Sequence, residues 1–516
     1  MTQTKLTAAQ KDRAAGVLLG LACGDALGAG YEFGPPLPKS TPVFMKGGGG
    51  FGWVQGEWTD DTSMAVPIAQ AAAAGLDLRD EKVLDGIVAQ WVDWAKTAPD
   101  VGIQLRAVLS KTEPTASAVR AVAKAHHERL GRSGGNGSLM RTAPVALAYL
   151  HDPVALAEAA RTISSLTHYE ADAGDACVLW CLAIRHAVLN GELDVRVGLP
   201  ALPADRQQLW ADRITVAETS QPSDFAHNGW VVEALQGAWS AITTTRAADA
   251  THLRLALESA VRGGRDTDTV AAIAGGLLGA RWGASAIPAE WRLIVHGWPV
   301  LTAPDLVRLS ERAAEPAGRT PQSAGRAAES AGPAAESAGR APQSVGRACR
   351  DHHVDTVTRF DYDYLGTPPK LVQHPHDAGV WLGAANALDA LPAGIDAVVS
   401  LCRVGTDQVP DRIRHHVEVR LIDDVPEKNP NLDFVLLDTV RALAALRAEG
   451  HTVLLHCAFA RSRTPTVAAL YSALYKGVPI QRAIDAVKVA LPAADSAPFL
   501  DKAIRRLAAA NERTRA

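Results

Sequence analysis

From residue 10 to about residue 300, apolar side chains recur every three or four positions, with Gly, Pro, Asp and Asn in the gaps. This spacing predicts helix after helix, and Val83–Ala95, Ala116–Leu130, Pro153–Ser165, Ala173–Asn190, Val231–Thr243, Leu253–Val261 and Thr269–Leu278 are the clearest cases. Little in this half alternates with period two. The apolar run Ala14 to Gly24 reads as a buried first helix and not a signal segment, because it is short and follows Lys11, Asp12 and Arg13, which are mixed in sign. No stretch reads as long enough to span a bilayer.

The pattern changes twice. Residues 313–347 divide into seven-residue units, AAEPAGR, TPQSAGR, AAESAGP, AAESAGR and APQSVGR. A heptad invites a coiled coil, but no large apolar residue recurs at the seam and every unit carries a helix breaker. Such a composition cannot bury enough surface to order itself, so it reads as a flexible linker spanning on the order of 30 Å. Beyond it, Val380–Leu382, Ala397–Leu401, His416–Leu421 and Thr452–His456 read as strands, and Leu436–Ala448, Pro465–Tyr475 and Ile480–Leu491 as helices. The expected organisation is an all-α domain over 1–305, a linker over 306–350 and an α/β layer domain over 351–516.

Composition adds little to that picture. A chain of 516 residues with 47% hydrophobic and 21% charged residues has material for more than one core. Its net charge of −4 gives no reason to expect nucleic acid or a membrane as partner. Six cysteines without a CxxC suit reduced thiols and a cytoplasmic setting.

Candidate chemistry enters at Trp58-Thr59-Asp60-Asp61-Thr62-Ser63, where paired acids sit among hydroxyls at a predicted helix start. Arg265-Asp266-Thr267-Asp268-Thr269 repeats the arrangement far downstream. Either segment alone is a conventional helix cap. Two, each with more acid than a cap needs, admit a second reading. If they meet, the carboxylates repel unless protons or a cation compensate, and Asp and Thr oxygens are hard ligands suited to Mg²⁺ or Mn²⁺.

Four further segments accompany them: Gly24-Asp25-Ala26-Leu27-Gly28 leading to Glu32, Asp100-Val101-Gly102, Gly134-Gly135-Asn136-Gly137-Ser138-Leu139-Met140-Arg141, and Leu166-Thr167-His168. Each alone is an ordinary cap, turn or buried histidine. In this order over about 10–300, the set resembles the ADP-ribosylglycohydrolases. The resemblance implies an all-helical fold and a centre of two Mg²⁺ or Mn²⁺ ions. Thr59, Asp60, Asp61, Asp266, Asp268 and Thr269 would be the ligands. Glu32 would be a mobile acid beside them, and Asp100 the acid that handles the proton or ribose. Asn136, Gly137, Ser138 and His168 would cradle ADP-ribose. The implied partner is an ADP-ribosylated protein or a related conjugate, and the sequence does not choose among arginine, serine and a small aglycone.

The C-terminal domain carries His456-Cys457-Ala458-Phe459-Ala460-Arg461-Ser462-Arg463-Thr464, between a predicted strand and a predicted helix. A loop at a helix start can hold a phosphate dianion and activate a thiolate. Arg463 can clamp phosphate, Ser462 and Thr464 can bind within the loop, and Thr464 can also donate to the departing sulfur. The alternative is a buried strand-end cysteine with an unrelated arginine. Over about 354–510 the domain resembles the dual-specificity branch of the protein tyrosine phosphatases. That resemblance implies a phosphocysteine intermediate, with Asp423 (or Asp424) as general acid and a phosphoprotein as possible partner. Ala460 departs from the glycine usual in that family's loop, and would be strained if a glycine-like backbone angle is needed there. The expected activity is therefore ADP-ribosyl hydrolysis joined to a cysteine-dependent phosphatase. The rival is a module that binds ADP-ribose and phosphoprotein with weak catalysis.

Overall fold

The computed structural model describes residues 5–110, 113–315, 358–362 and 371–515. Most of the expected linker lies outside the described residues. The N-terminal body is a multilayered helical assembly around one apolar core. Ala116–Leu130 and Pro153–Ser165 have the boundaries their periodicity predicts. The segment after Gly263 forms a helix over Thr267–Trp282, longer at both ends than its apolar run. Ala303–Ala313 packs against the first helix and carries the helical layer past residue 305.

The organising contact is between Ala8–Gly28 and Thr267–Trp282. Gly16, Gly20, Gly24 and Gly28 form a line with four-residue spacing, which is one face of a helix. A Cβ on Gly20 would stand 2.3 Å from the Gly275 carbonyl oxygen, and one on Gly24 2.0 Å from that of Ala271. The two helices touch backbone to backbone, so both are nearly all buried. One expectation is corrected here. Ala8–Tyr31 is long and apolar enough to cross a membrane by length and composition, because the apolar pattern continues through the buried Asp25 to Leu27. In the fold it is the central core element.

The C-terminal body is a mixed five-stranded sheet with helices. Strand order is Leu371–His374, Asp377–Ala384, Val453–Cys457, Ala397–Ser400, His415–Glu418. The first pair is antiparallel and the rest are parallel. Val453–Cys457 is buried at every position, as a central parallel strand should be. Leu371–His374 and the helix Pro498–Arg515 were not expected from the sequence.

The two bodies touch. Arg420 reaches Asp12 at 2.9 Å and Glu311 at 2.8 Å. The Asn431 amide donates to Ser285 Oγ at 2.8 Å, and the Ala289 N–H donates to Asp438 at 2.9 Å. Beside this seam lies a cleft of about 1580 Å³, lined by Glu311 and Arg312 on one side and Asp423 and Arg463 on the other.

Candidate functional site

The helix Asp60–Ala73 starts at Thr59, whose side chain makes no capping bond. Its hydroxyl instead turns to Asp61 Oδ2 at 3.0 Å. The free N–H groups of this helix start are satisfied from another helix. Asp25 accepts from the Thr59 N–H (2.8 Å), the Thr62 N–H (3.0 Å) and the Thr62 hydroxyl (2.6 Å). A carboxylate from the first helix thus caps the second, which leaves Thr59, Asp60 and Asp61 available for other work.

The close packing of the first helix on Thr267–Trp282 brings the other acids in. Asp25, Asp61 and Asp268 each offer an oxygen within 4.8 Å of the others, and so do Glu32, Asp266 and Asp268. The two acidic segments therefore meet. Asp61 and Asp268 are buried, and Thr269 with them. Two carboxylate oxygens, Asp61 Oδ1 and Glu32 Oε2, are buried without a hydrogen-bond partner among the described residues. Burial first, then neighbouring carboxylates, drives Asp60, Asp61 and Asp268 far above the usual carboxylate range. Glu32 is pushed up to about 9 by burial and then by Asp266, Asp100 and Asp60. Asp100 is raised by burial and by Asp266, which places it at the same cluster. Orphaned oxygens among like charges are what a divalent cation would satisfy, and an all-oxygen donor set fits a hard ion.

The Asp266 segment is held from outside. The Asn136 amide donates to Asp266 Oδ2 at 2.7 Å and to the Asn228 carbonyl at 2.9 Å. Asn228 in turn accepts from the Asp266 N–H at 3.2 Å and donates to the Gly264 carbonyl at 3.0 Å. Gly137 and Gly135 lie over the His168 ring, where an added Cβ would stand 3.2 and 3.3 Å from it. Burial lowers the His168 pKa well below its ordinary value, so the ring is neutral, and Nδ1 pairs with the Thr167 hydroxyl at 2.8 Å. Ser138 is fully buried, and its hydroxyl accepts from Ser164 at 3.0 Å. A hollow of about 470 Å³ adjoins this turn, lined by Gln104, Gly134, Gly135, Glu170, Gly229 and Trp230.

The profile of the ADP-ribosylglycohydrolase family matches residues 6–322, more than half of the chain. This chain belongs to the ADP-ribosylglycohydrolase family. It is 32% identical over 295 residues to the ADP-ribosylarginine hydrolase Tri1 of Pseudomonas putida, covering 54% of this chain and 73% of that protein. It is 30% identical over 295 residues to the ADP-ribosyl-[dinitrogen reductase] glycohydrolase of Rhodospirillum rubrum, covering 54% and 89%. A crystal structure of human DUSP28 aligns over 29% of this chain and 98% of its own, at 25% identity and a TM-score of 0.26. Within the glycohydrolase domain, sequence reasoning read Asp25 as a helix-end cap and passed over Asn228 and Trp230. Asp25 does cap a helix, but not its own. The GxxxG spacing around it implies a partner helix at backbone distance, but that partner is Thr267–Trp282 and not the helix that Asp25 caps.

In the C-terminal body, Cys457 ends the central strand and Arg463 begins the helix Arg463–Tyr475. Ala460 between them has φ of +54°, so the left-handed backbone that favours glycine is present and carried by alanine. Ser462 Oγ donates to Asp423 Oδ1 at 2.8 Å, and Arg463 Nε stands 3.6 Å from Asp423 Oδ2. Arg463 also donates to the Leu401 (2.6 Å) and Leu421 (3.0 Å) carbonyls. Asp424 pairs with Lys428 instead. The Thr464 hydroxyl and Arg463 Nε are buried without hydrogen-bond partners among the described residues. Asp423, Ser462 and Arg463 are therefore brought together by direct contacts, at the start of the helix that follows Cys457 in the chain.

Proposed function

We propose that the chain hydrolyses the bond between ADP-ribose and a protein side chain, with arginine the favoured attachment. The observation that carries this is the cluster of Asp60, Asp61, Asp266 and Asp268 beside Glu32 and Asp100, in which Asp61 Oδ1 and Glu32 Oε2 are buried without a hydrogen-bond partner among the described residues. The names of the two relatives, which specify arginine and dinitrogen reductase, support the substrate class.

Thr59, Asp60, Asp61, Asp266, Asp268 and Thr269 would hold Mg²⁺ or Mn²⁺. When bound, the ions supply positive charge that orients the ribose hydroxyls and acidifies a water. The chain's own groups do the rest. The anionic pocket favours the positive charge that builds on the ribose as the C1″–N bond breaks. A water oxygen bonds to C1″, Glu32 or Asp100 accepts its proton, and the guanidine leaves with the bonding pair and takes up a proton. Asn136 keeps Asp266 aimed inward. The hollow beside Gly134 and Trp230 offers room for the nucleotide end of the substrate. Incubation with ADP-ribosylated arginine, serine and small-molecule conjugates, with and without Mg²⁺ or Mn²⁺, tests this reading. It fails if no conjugate releases ADP-ribose, or if Asp60→Ala/Asp61→Ala is as active as the parent.

A second activity rests on a separate observation, the pairing of Ser462 and Arg463 with Asp423 in the segment that follows Cys457 and the left-handed Ala460. There the Cys457 sulfur would displace an alcohol from a phosphate monoester, Asp423 would protonate that alcohol, and water would then release phosphate from sulfur. Asp423 already accepts from Ser462 and faces Arg463, which holds its carboxyl group beside the loop. An aryl phosphate assay decides it: Cys457→Ser hydrolysing as fast as the parent would remove Cys457 as nucleophile.

A further inference from the structure

No step of the hydrolysis uses Arg141 or Thr167, yet both lie in segments that stand out in the sequence. Arg141 follows the glycine-rich turn at 134–138, and it is fully buried. Its guanidinium stacks on Trp91, 4.0 Å from the ring centroid, and forms no ion pair among the described residues. A buried cation without a counter-charge is costly, so packing alone does not account for it. Its hydrogen bonds point elsewhere. Nη2 donates to the Ile163 carbonyl at 3.3 Å and to the Thr167 hydroxyl at 2.7 Å. That hydroxyl lies 2.8 Å from His168 Nδ1.

The direction of this chain is fixed at its first member. Arginine has donors and no acceptor, so Thr167 Oγ1 accepts from it. The hydroxyl then has its own proton to place. Thr167 is fully buried, and the acceptor it meets among the described residues is His168 Nδ1. If Nδ1 carried the proton instead, the hydroxyl would accept twice and leave a buried donor unsatisfied. Burial, and then the Arg141 charge, keep the ring neutral, so its one proton sits on Nε2.

Nε2 faces the turn. A Cβ added to Gly135 would stand 3.3 Å from it, and one on Gly137 3.4 Å. Nδ1 is taken by Thr167, whereas Nε2 has no hydrogen-bond partner among the described residues. The groups around it are held. The Gln104 amide donates to the Ser133 carbonyl at 3.0 Å and to the Thr167 carbonyl at 2.9 Å, which ties the start of the turn to the His168 segment. Asn136, on the turn itself, reaches Asp266 at 2.7 Å. The free donor thus lies under a turn that one side chain joins to the acid cluster.

We propose that Arg141 is a positioning residue: acting through Thr167, it holds His168 in the tautomer whose Nε2–H faces the glycine turn, where it donates to an oxygen of the ADP-ribose group. A phosphate or ribose oxygen accepts such a bond, and a donor fixed beforehand need not be ordered on binding. This rests on the ADP-ribose reading above.

Calorimetric titration of the full chain with ADP-ribose and with ADP, with Mg²⁺ present, tests it. Thr167→Val keeps the side chain's shape and breaks the relay, and binding of ADP-ribose should weaken about tenfold. Thr167→Ser should restore it. Weakening with ADP as well assigns the bond to the pyrophosphate, and weakening with ADP-ribose alone assigns it to the distal ribose. In a His168→Gln background, whose amide carries its own donor, Thr167→Val should cost nothing further. Nitrogen NMR of histidine side chains, with the His168 signals identified by their loss in His168→Gln, should show Nε2 protonated in the parent and mixed tautomers in Thr167→Val and Arg141→Met. Thr167→Val carries the test if Arg141→Met does not fold. A parent protonated on Nδ1 would overturn the proposal. So would unchanged ADP-ribose binding in Thr167→Val, or equal weakening in both backgrounds, since Thr167 would then act by packing alone. A parent that binds neither ADP-ribose nor ADP would instead sink the ADP-ribose reading, and the donor role of His168 with it, whichever tautomer is seen.

Discussion

Gly28 lies so close to Asp268 that a Cβ on it would stand 2.5 Å from the Asp268 Cα. The acid site is therefore set by how nearly two helices can touch. Gly24, four residues earlier, meets the Ala271 carbonyl in the same way. Gly24→Ala should destabilise the protein by about 3 kcal/mol, because neither backbone can yield without moving a packed helix. Thermal unfolding measures that cost. Isothermal titration with Mn²⁺ should show weaker binding, as Asp268 moves away from Asp25 and Asp61.

Much of this site was legible in the sequence and some of it was not, for identifiable reasons. Thr59 to Asp61 and Asp266 to Thr269 stand out because each carries more acid than a helix start needs, and the fold brings them together. Asp25 was hidden because the residues it caps, Thr59 and Thr62, are more than thirty positions away, and local spacing cannot reveal such a bond. Asn228 was hidden likewise, since its value lies in holding the backbone at Gly264 and Asp266. In the C-terminal body, Leu371–His374 was missed because an edge strand is fixed by its neighbour's hydrogen bonds more than by its own apolar pattern. Ala460 was the reverse case: its departure from a loop's usual glycine left open a strained residue or a different loop, and its backbone is left-handed.

Divalent cations should stabilise the parent, since ions that bind only the folded state shift unfolding by mass action. At 100 times Kd the gain is about 2.7 kcal/mol. Asp61→Asn and Asp268→Asn should each lose most of this shift in a melting assay, and EDTA should reverse it in the parent. Glu32→Gln should behave differently: the cation-dependent shift persists, while ADP-ribose release falls by about 100-fold or more. Loss of the shift in Glu32→Gln would move Glu32 from proton transfer to ion binding.

Asp25→Asn keeps the shape of the side chain and one acceptor oxygen, but loses the charge that faces the Thr59 and Thr62 N–H groups. The helix start then lacks its anion, at a cost of about 1 to 2 kcal/mol. The parent's Asp25 is raised to about 6 by burial, although Thr62 and Thr59 pull it down. Asn136→Ala should lower kcat with little change in stability, because Asp266 loses the bond that aims it. Unaltered turnover in Asn136→Ala would show that Asp266 needs no such support.

Asp377 gives the C-terminal body a defined acid dependence. It bonds Lys476 and the Tyr471 hydroxyl at 2.8 Å each, and Arg447 lies at 3.2 Å. Burial raises its pKa, but Lys476, Tyr471 and the Gly379 N–H outweigh that and hold it at about 2. A depressed carboxylate contributes stability above its unfolded value near 4, and loses that contribution as pH falls through about 2. The pH-dependent part is on the order of 2 kcal/mol. Urea unfolding of the parent and Asp377→Asn between pH 7 and pH 2 should show their gap narrowing by that amount on the acid side. A constant gap would mean that Asp377 is not charged in the folded state.

Ala460 offers the last test, since its strain and its chemistry can be separated. A left-handed angle costs a residue with a Cβ roughly 1 to 2 kcal/mol, and glycine removes that cost while adding about 0.5 to 1 kcal/mol of unfolded-state entropy. Ala460→Gly should therefore stabilise the C-terminal body slightly, by about 0.5 kcal/mol in denaturant unfolding. Aryl phosphate turnover in the same variant is the informative readout. A rise with unchanged KM would mean that alanine holds the Cys457 loop short of its working shape. Equal turnover would mean that φ of +54° already places Arg463 and Asp423 where the cysteine needs them, so that the alanine costs stability and nothing else.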